Sequence, residues 1–463
     1  MVARNSLQVT ADGPLTPARQ TCLDVLSHSL TAVDAFTLTS KQVSATEGAL
    51  VIGGQYFALD QVGKIYVAAM GKCSYRQSQA VTAAVMGTPF ADKVTGMAIT
   101  AKDEPESLGP IKVVVGRHQP ENVPSLAAVD ATRQLIQQLA QLQPNDLVVF
   151  LISGGASALL VLPEEGVSLQ DMIETTRQLH LSGCSIQLVN QTRTLLSQVK
   201  GGGLLNFLPT GVQATALLIS DVVGDEVATI GSGPTGWRPR DYEAGWQELQ
   251  RAGVGANLPS DVVGFLQARA RHSSLPPGQK VRNLLVGNSL QGLRHGEAYA
   301  RQLGYQVLDG ADLWEGDGFH FTQFIAQLAR NVLQRSLPVS PPVCFLFGGE
   351  TTLQVQGDPA ALGKGGRNQH MALLFAKFAE EYGLDPERVV FASLGTDGED
   401  GATDVAGAMV GGTSEPSPGS WPELAAASLR RFDSYGFFQK NGGHLRCPVH
   451  ATNVMDFRIL LIT

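Results

Sequence analysis

The chain contains a series of short, almost wholly apolar segments, bounded by Gly, Asp or Ser, that alternate with helix-forming stretches. Because these segments are apolar at nearly every position, they predict strands buried on both faces. Buried strands that alternate with helices are typical of parallel sheets covered by helices on both sides. The predicted fold is therefore α/β, with three-layer α/β/α domains and mainly parallel sheets. The six clearest segments are 64–70 (KIYVAAM), 147–153 (LVVFLIS), 216–220 (ALLIS), 283–287 (NLLVG), 343–347 (VCFLF) and 389–394 (VVFASL).

The length of 463 residues is too great for one ordinary hydrophobic core, so it predicts two domains. The polar segment RHSSLPPGQKV, at 271–281, is the best boundary because it contains Pro-Pro-Gly and precedes a new strand and helix. We therefore expect one domain over residues 1–275 and a second over residues 276–463.

Composition and charge argue against several classes of protein. The formal net charge of −8 disfavours binding to nucleic acid or to an anionic membrane. No apolar run nears the roughly 18 residues that a transmembrane helix needs. The five cysteines are scattered without zinc-site spacing, and the first twenty residues lack an apolar signal segment. These features predict a cytoplasmic protein.

Two predicted strand ends carry groups that suit an anionic ligand. Ser153, Gly154 and Gly155 form a turn after the strand at 147–153, and main-chain N–H groups there could hold a phosphate. The alternative is a tight turn with no ligand. Lys72 follows the strand at 64–70, at the start of a helix, where it could reach a phosphate. The chain lacks GxxxxGK[ST] and the strand–GxGxxG–helix pattern, which disfavours P-loop and dinucleotide-binding proteins.

A polar stretch at 190–205 ends in three glycines. Arg193, Ser197 and Lys200 have i, i+4 and i+7 spacing, which predicts one stripe of a helix, and Asn190 lies one turn before Arg193. Two cations on one helical face could line an anionic pocket. A solvated basic face is an equally good interpretation.

Carboxylates follow other strands. Asp221 comes directly after the strand at 216–220, and Asp225 lies four residues on, which suits Mg²⁺ bound together with substrate phosphates. Asp221 could instead be a base for an alcohol proton, or a simple helix cap. Asp397 follows a third strand, and Glu350 and Arg367 follow a fourth. Glycines beside the last two would let the main chain approach a ligand closely.

Several of these segments together resemble one family, the glycerate 2-kinases, also called MOFRL-type glycerate kinases and formerly described as hydroxypyruvate reductases. The matching segments run in family order from about residue 64 to residue 456. They are AAMGKC, SGGASALL, SGCSIQLVNQTRTLLSQVKGGGLL, ISDVVGDEVATIGSGPT, FGGETTLQVQG, GKGGRNQHMAL, GTDGEDGATDVAGA and ATNVMDF.

The resemblance implies a kinase that uses ATP and Mg²⁺ to phosphorylate the 2-hydroxyl of D-glycerate in a cleft between two α/β domains, and it admits a homodimer. It implies Lys72 and Arg367 as catalytic cations that neutralise substrate or phosphoryl charge, with Asp221 as base or metal ligand. Asp225 and Asp397 are the remaining candidate metal ligands. The candidate residues for binding substrate or ATP are Ser153, Gly154, Gly155, Asn190, Arg193, Lys200, Gly349, Glu350, Gly366 and Asn368.

The chain departs from the family pattern at four places. HQPEN stands at 118–122 where relatives usually have His-Pro-x-Pro. Ala156 stands where relatives have glycine, His370 where they have glutamate, and CPVHATNVMD at 447–456 where they have GPTGTNVND. The last difference leaves open a kinase acting on another small hydroxy acid. A hydroxypyruvate reductase and a ligand-binding relative without activity are further alternatives.

Overall fold

The computed structural model describes residues 6–117, 124–270, 276–309, 314–335, 337–355, 362–413 and 421–463. The first half of the predicted boundary segment, 271–275, lies outside these ranges. The strands are β1 (Thr10–Ala11), β2 (Val43–Ala45), β3 (Ala49–Ile52), β4 (Gln55–Ala58), β5 (Ile65–Met70), β6 (Val94–Thr100), β7 (Ser107–Leu108), β8 (Ile111–Val115), β9 (Leu147–Ile152), β10 (Gln213–Ile219), β11 (Arg282–Gly287), β12 (Gln306–Asp309), β13 (Glu315–Asp317), β14 (Val343–Phe347), β15 (Glu350–Thr352), β16 (Val389–Gly395), β17 (Gly407–Gly411), β18 (His444–Arg446) and β19 (Asp456–Ile462).

The helices begin where the sequence supplies capping residues. Thr16 caps the helix that begins at Pro17. Ser168 and Asp171 form a capping box at the helix that begins at Leu169, in which the side chain of each accepts a hydrogen bond from the main-chain N–H of the other. The α-helices are α1 (Pro17–Ala32), α2 (Ala35–Ser40), α3 (Ser74–Val85), α4 (Leu126–Leu139), α5 (Ala156–Leu159), α6 (Leu169–Leu181), α7 (Ile186–Leu195), α8 (Tyr242–Arg251), α9 (Ser260–Arg269), α10 (Ser289–Gln302), α11 (Gly318–Leu333), α12 (Arg367–Glu381), α13 (Trp421–Arg430) and α14 (Ser434–Asn441). None of the helices in the described ranges is both long and apolar enough to cross a membrane.

The chain divides into two compact units. The first, which we call the parallel-sheet unit, comprises residues 38–220 and 225–286. Its main sheet has the order β11-β10-β9-β5-β6-β8-β7, and the strands from β10 to β8 run parallel. Every side chain of β5 and β9 is buried, as their apolar sequences predicted. Helices α6 to α9 enclose a separate apolar cluster.

The second, the mixed-sheet unit, comprises residues 6–37, 221–224 and 287–463. Its sheet has the order β1-β18-β17-β16-β19-β14-β12, and only β12 and β14 pair in parallel. The α/β class is confirmed, but the prediction of parallel strands does not hold for this sheet. Strands covered by helices on both faces are apolar throughout in either direction, so their sequences do not reveal the direction of pairing.

Residues 6–37 belong to the mixed-sheet unit, although the sequence had placed them in the first domain. Strand β1 pairs antiparallel with β18, and α1 packs against α10 and β19. The exposed Asp12 carboxylate also accepts two hydrogen bonds from Arg446, each of 2.7 Å. These partners lie more than 250 residues away along the chain, so local sequence could not indicate them.

Candidate active site

Arg367, a predicted catalytic residue, is the first residue of α12 and lies beside two carboxylates. Its Nε and Nη2 atoms donate to the two oxygens of Asp456 at 2.7 and 2.8 Å. Its Nη1 atom lies 2.6 Å from Oε1 of Glu350. The Arg367 side chain is 34% exposed and that of Glu350 is 47% exposed. The guanidinium is therefore anchored on one edge by a buried acid and contacts a half-exposed acid with its Nη1 atom.

Asp456 itself is fully buried at the start of β19. Its Oδ2 atom accepts a second hydrogen bond from Nη2 of Arg458, at 2.7 Å, and the Arg458 side chain is also fully buried. The same Nη2 atom donates to Oγ1 of Thr351 at 3.0 Å, and Nη1 donates to the carbonyl of Gly349 at 3.3 Å. Burial alone would raise the pKa of Asp456, but Arg367 and Arg458 hold it below its ordinary value. This acid is therefore ionised at neutral pH.

A second buried acid, Asp400, holds the first turn of α12. Its Oδ1 atom accepts from the main-chain N–H of Asn368 at 3.0 Å, and its Oδ2 atom accepts from the N–H of Gln369 at 2.9 Å. The side-chain amides of both residues donate to Asp400 as well. The glycine beside Arg367 predicts a main chain that approaches a ligand closely at this point. The two N–H groups instead satisfy Asp400, so the helix start binds an internal carboxylate.

The candidate metal ligands are divided between the two units. Asp225 lies in the parallel-sheet unit with a left-handed φ of 54°, whereas Asp221 lies in the mixed-sheet unit. Oδ2 of Asp221 accepts a hydrogen bond of 3.3 Å from Nδ2 of Asn453. Within the ranges that the structure describes, no three His, Cys, Asp or Glu side chains are grouped to hold a metal ion.

Glu350 and Asp397 are two acids of the mixed-sheet unit whose charges interact. The pKa of Glu350 is raised, chiefly by partial loss of solvation, although 47% of its side chain is exposed. The charge of Arg367 opposes this shift, whereas the charges of Asp456 and Asp397 add to it. Oδ1 of Asp397 accepts a hydrogen bond of 3.1 Å from the N–H of Glu399. Two nearby carboxylates provide oxygen donors of the kind that Mg²⁺ accepts together with substrate phosphates.

In the parallel-sheet unit, the turn at Ser153, Gly154 and Gly155 lies directly against Lys72. Ser153 Oγ accepts from the N–H of Cys73 at 3.0 Å, and the carbonyl of Gly154 accepts from the N–H of Lys72 at 2.8 Å. Gly155 has a φ of +81°, and a Cβ atom there would lie 3.1 Å from Cγ of Lys72. The glycine is therefore needed both for its left-handed backbone and for the space that Lys72 occupies.

Arg193 and Lys200 do not share a helix, contrary to the spacing argument. Helix α7 ends before Ser197, which instead forms an isolated bridge with Pro163. Lys200 is 2% exposed, and its Nζ atom donates to the carbonyl of Ser157 at 2.7 Å. Burial lowers the pKa of Lys200 well below its usual value, and the charge of Arg193 lowers it further. Its Nζ atom therefore supports the main chain that follows the glycine turn.

Asn190 and Arg193 do lie one turn apart on α7, as predicted. Asn190 is exposed, and its carbonyl accepts a hydrogen bond of 2.9 Å from the hydroxyl of Thr194. Arg193 is half-buried, and burial lowers the pKa of its guanidinium. Their role in ligand binding stays a prediction.

Two family models match the chain. One, described as a domain of unknown function (DUF4147), covers residues 4–267, and the MOFRL family model covers residues 343–456. A glycerate 2-kinase of Pyrococcus horikoshii is 31% identical over 96% of this chain and 97% of the relative. The chain belongs to the glycerate 2-kinase family.

Other members of the glycerate 2-kinase family agree with this assignment. A D-glycerate 2-kinase of Thermotoga maritima is 33% identical over 86% of this chain and 91% of the relative. A crystal structure of a glycerate kinase from Thermotoga maritima has a TM-score of 0.74 and 28% identity, and it covers 96% of this chain and 99% of that chain. The resemblance inferred from the motifs is confirmed.

Sequence reasoning gave no role to three buried ionisable residues of this family member: Asp400, Asp456 and Arg458. A signal for two of them exists in the final strand, DFRILLI, where an acid and a base at alternate positions interrupt an apolar run. Residues two apart lie on one face of a strand, so the two charges could have been predicted to pair. Asp400 offers no such signal because its partners start a helix some thirty residues earlier.

Two histidines occupy places where this chain departs from the glycerate 2-kinase pattern. His370 is 6% exposed and stacks on Phe432 with a centroid separation of 4.7 Å; burial lowers its pKa to about 4. His450 has a left-handed φ of 59°, and its N–H donates to the carbonyl of Asp397 at 2.8 Å. Its Nε2 atom lies 3.3 Å from Oε2 of Glu399. The altered 447–456 segment therefore contacts the loop that carries Asp397.

Proposed function

We propose that this protein is an ATP-dependent kinase that phosphorylates D-glycerate to 2-phosphoglycerate. The observation that carries the proposal is the 31% identity to a glycerate 2-kinase over almost the whole chain. Two features of the candidate site support it. Arg367 presents a partly exposed guanidinium beside two acids, and Lys72 lies against a glycine turn.

In the proposed reaction, the 2-hydroxyl oxygen of D-glycerate attacks the γ-phosphorus of ATP, the bond to the bridging oxygen breaks, and ADP leaves. Such transfers depend chiefly on positioning and on stabilising charge at the moving phosphoryl group. Arg367 can form two parallel hydrogen bonds to a carboxylate or phosphate, whereas Lys72 acts as a mobile point charge. We assign Asp221 the role of the base that accepts the hydroxyl proton.

We propose that Mg²⁺ accompanies the nucleotide. Bound Mg²⁺ would neutralise phosphate charge and polarise the transferred group. Glu350 and Asp397 are the best candidates to hold it, because both are carboxylates, they lie close enough for their charges to interact, and Glu350 is half exposed. Asp225, which lies in the parallel-sheet unit, stays a further candidate ligand.

A kinase of another small hydroxy acid is the second candidate. The observation that favours it is the buried His450, which brings an imidazole to the Asp397 loop in a segment that departs from the family pattern. An added side chain in a binding loop changes which substrate substituents fit. A panel of small 2-hydroxy and 3-hydroxy acids distinguishes the two candidates.

The first experiment incubates purified protein with ATP, Mg²⁺ and D-glycerate and identifies the product by phosphorus NMR. We expect 2-phosphoglycerate. Absence of product while ATP binding persists would refute the D-glycerate assignment, and product from another acid would establish the second candidate. Oxidation of NADH by hydroxypyruvate would instead favour a reductase.

The catalytic assignment predicts that Lys72→Ala and Arg367→Ala each lower kcat/KM by roughly 10²-fold or more, because each removes a charge that the transition state requires. Asp12→Asn is the matched control, because it breaks the exposed ion pair of Asp12 with Arg446, whose side chains are 47% and 42% exposed. Steady-state kinetics with ATP and D-glycerate measure the effect. Near-normal turnover in either alanine variant would remove that residue from the catalytic set.

We also propose a cytoplasmic location and a homodimer. The location is supported by five free cysteines, which suit a reducing compartment. Cell fractionation tests the location, and light scattering of the purified protein tests the oligomeric state.

A further inference from the structure

The mixed-sheet unit has two charged side chains inside its sheet. Asp456 and Arg458 lie two residues apart on β19, a strand flanked on both sides by β14 and β16, and both side chains are 0% exposed. Acids and arginines are almost never fully buried unless they are paired. A buried ion pair adds little stability over apolar residues of similar size, so stability alone does not explain this one.

The hydrogen bonds of Asp456 point to Arg367. Each carboxylate oxygen accepts one bond from that guanidinium, at 2.7 Å to Nε and 2.8 Å to Nη2. Each oxygen also accepts one further hydrogen bond. Nη2 of Arg458 donates to Oδ2 at 2.7 Å, and Nδ2 of Asn368 donates to Oδ1 at 3.2 Å. A two-point bond between planar groups fixes the plane and the direction of the arginine. Asp456 is itself immobile, because it starts a central strand.

The charges make the arrangement more specific. Arg367 and Arg458 both bond to Asp456, and Glu350 and Asp400 add two further acids that act on the same arginines. Because Arg458 pairs with Asp456 inside the sheet, the acid that orients Arg367 is not an isolated buried charge.

We propose that Asp456 is a positioning residue for phosphoryl transfer, which fixes the guanidinium of Arg367 towards the ligand, and that Arg458 is the buried counter-charge that holds Asp456 inside the sheet. This inference rests on the proposed kinase function for its effect on catalysis. Glu350, which is half exposed, contacts the third nitrogen of Arg367 and is the partner that a ligand anion could replace. The Nη1 edge is therefore the edge that meets the substrate.

The test removes the ion pair as a unit. Asp456→Asn alone leaves Arg458 buried without its acid and could unfold the protein, so the main variant is Asp456→Asn with Arg458→Met. Calorimetry first establishes that this double variant is folded. We expect kcat to fall roughly 10²-fold while KM changes by only a few fold, because a misdirected group loses mainly transition-state stabilisation. Asp12→Asn again serves as the control for loss of an acid–arginine contact.

Chemical rescue separates positioning from general structure. In Arg367→Ala, we expect added guanidinium chloride to restore part of the activity, because Asp456 remains to orient the free ion. In the triple variant with Arg367→Ala, Asp456→Asn and Arg458→Met, we expect no restoration. Equal rescue of the two variants would overturn the proposal, as would near-normal kcat in the folded double variant.

An NMR measurement decides the orientation without any turnover. The Nε–H signal of Arg367, identified by its loss in Arg367→Lys, should exchange slowly with solvent in the wild-type protein and much faster in the double variant. Slow exchange in both would overturn the proposal. If the wild-type protein forms no phosphorylated product, the kinase assignment fails, whereas the exchange rates still decide whether Asp456 holds Arg367.

Discussion

His370 should make the stability of this protein depend on pH in a predictable way. The imidazole is 6% exposed and stacked on Phe432, and its buried Nδ1 atom has no hydrogen-bond partner among the residues that the structure describes. Burial lowers its pKa from 6.5 to about 4. Since the unfolded chain binds this proton more readily than the folded one, the free energy of unfolding should decrease as the pH falls from about 6.5 to about 4.

The size of the effect follows from the shift. A difference of one pKa unit corresponds to about 1.4 kcal/mol, so this histidine should cost about 3 kcal/mol once the pH is below 4. That is a large part of the roughly 5–15 kcal/mol by which native proteins are stable. Carboxylates also titrate in this range, so the wild-type curve alone cannot isolate the histidine.

The assay compares wild-type protein with His370→Gln, which carries a side chain that does not titrate. Urea unfolding of both proteins at several values between pH 7.5 and pH 4 gives two stability curves. We expect the wild-type curve to fall more steeply, with a difference that grows by about 3 kcal/mol across the range. Parallel curves, or a His370 pKa near 6.5 from NMR titration, would refute the reasoning.

Two further substitutions test the glycine turn and the start of α12. Gly155→Ala should cost roughly 1–2 kcal/mol for its left-handed backbone and should also lower kcat, because the new Cβ atom would lie 3.1 Å from Cγ of Lys72. Gly166→Ala is the matched control, with a φ of +85° and open space around the Cβ position; equal kcat losses in the two variants would contradict the role given to Lys72. Asp400→Asn should lower the free energy of unfolding by roughly 2–4 kcal/mol, because the amide nitrogen, a donor, would face one of the two N–H groups at the start of α12. Urea unfolding measures this loss, and an unchanged midpoint would show that the helix start does not need the acid.

Local patterns predicted those parts of the molecule that local chemistry determines. The apolar runs became buried strands, and the Ser-Gly-Gly turn has a left-handed glycine at the place where Lys72 passes. The stripe proposed for Arg193 and Lys200 failed because spacing shows only where residues would lie if the helix continued. Helix α7 stops before Ser197, which pairs with Pro163.

The partners of Arg367 could not be predicted from its surroundings in the sequence. The motif GGRNQ indicates a functional arginine, but Asp456 lies 89 residues further along the chain. The bond exists because β19 enters the sheet between β14 and β16, next to the start of α12. The sequence does not show where the last strand inserts, or in which direction, because apolar strands fit several positions equally well.

The central place of β19 has a consequence for how this chain is synthesised. The parallel-sheet unit ends at residue 286, so its strands can pair while the rest of the chain is still on the ribosome. The mixed-sheet unit must wait for residues 456–462, although its β1 and α1 precede the parallel-sheet unit along the chain. At about 5–20 residues per second, the delay after residue 286 is on the order of ten seconds or more. Until β19 emerges, β14 and β16 lack the strand that joins them, and Arg367 lacks the acid that directs it.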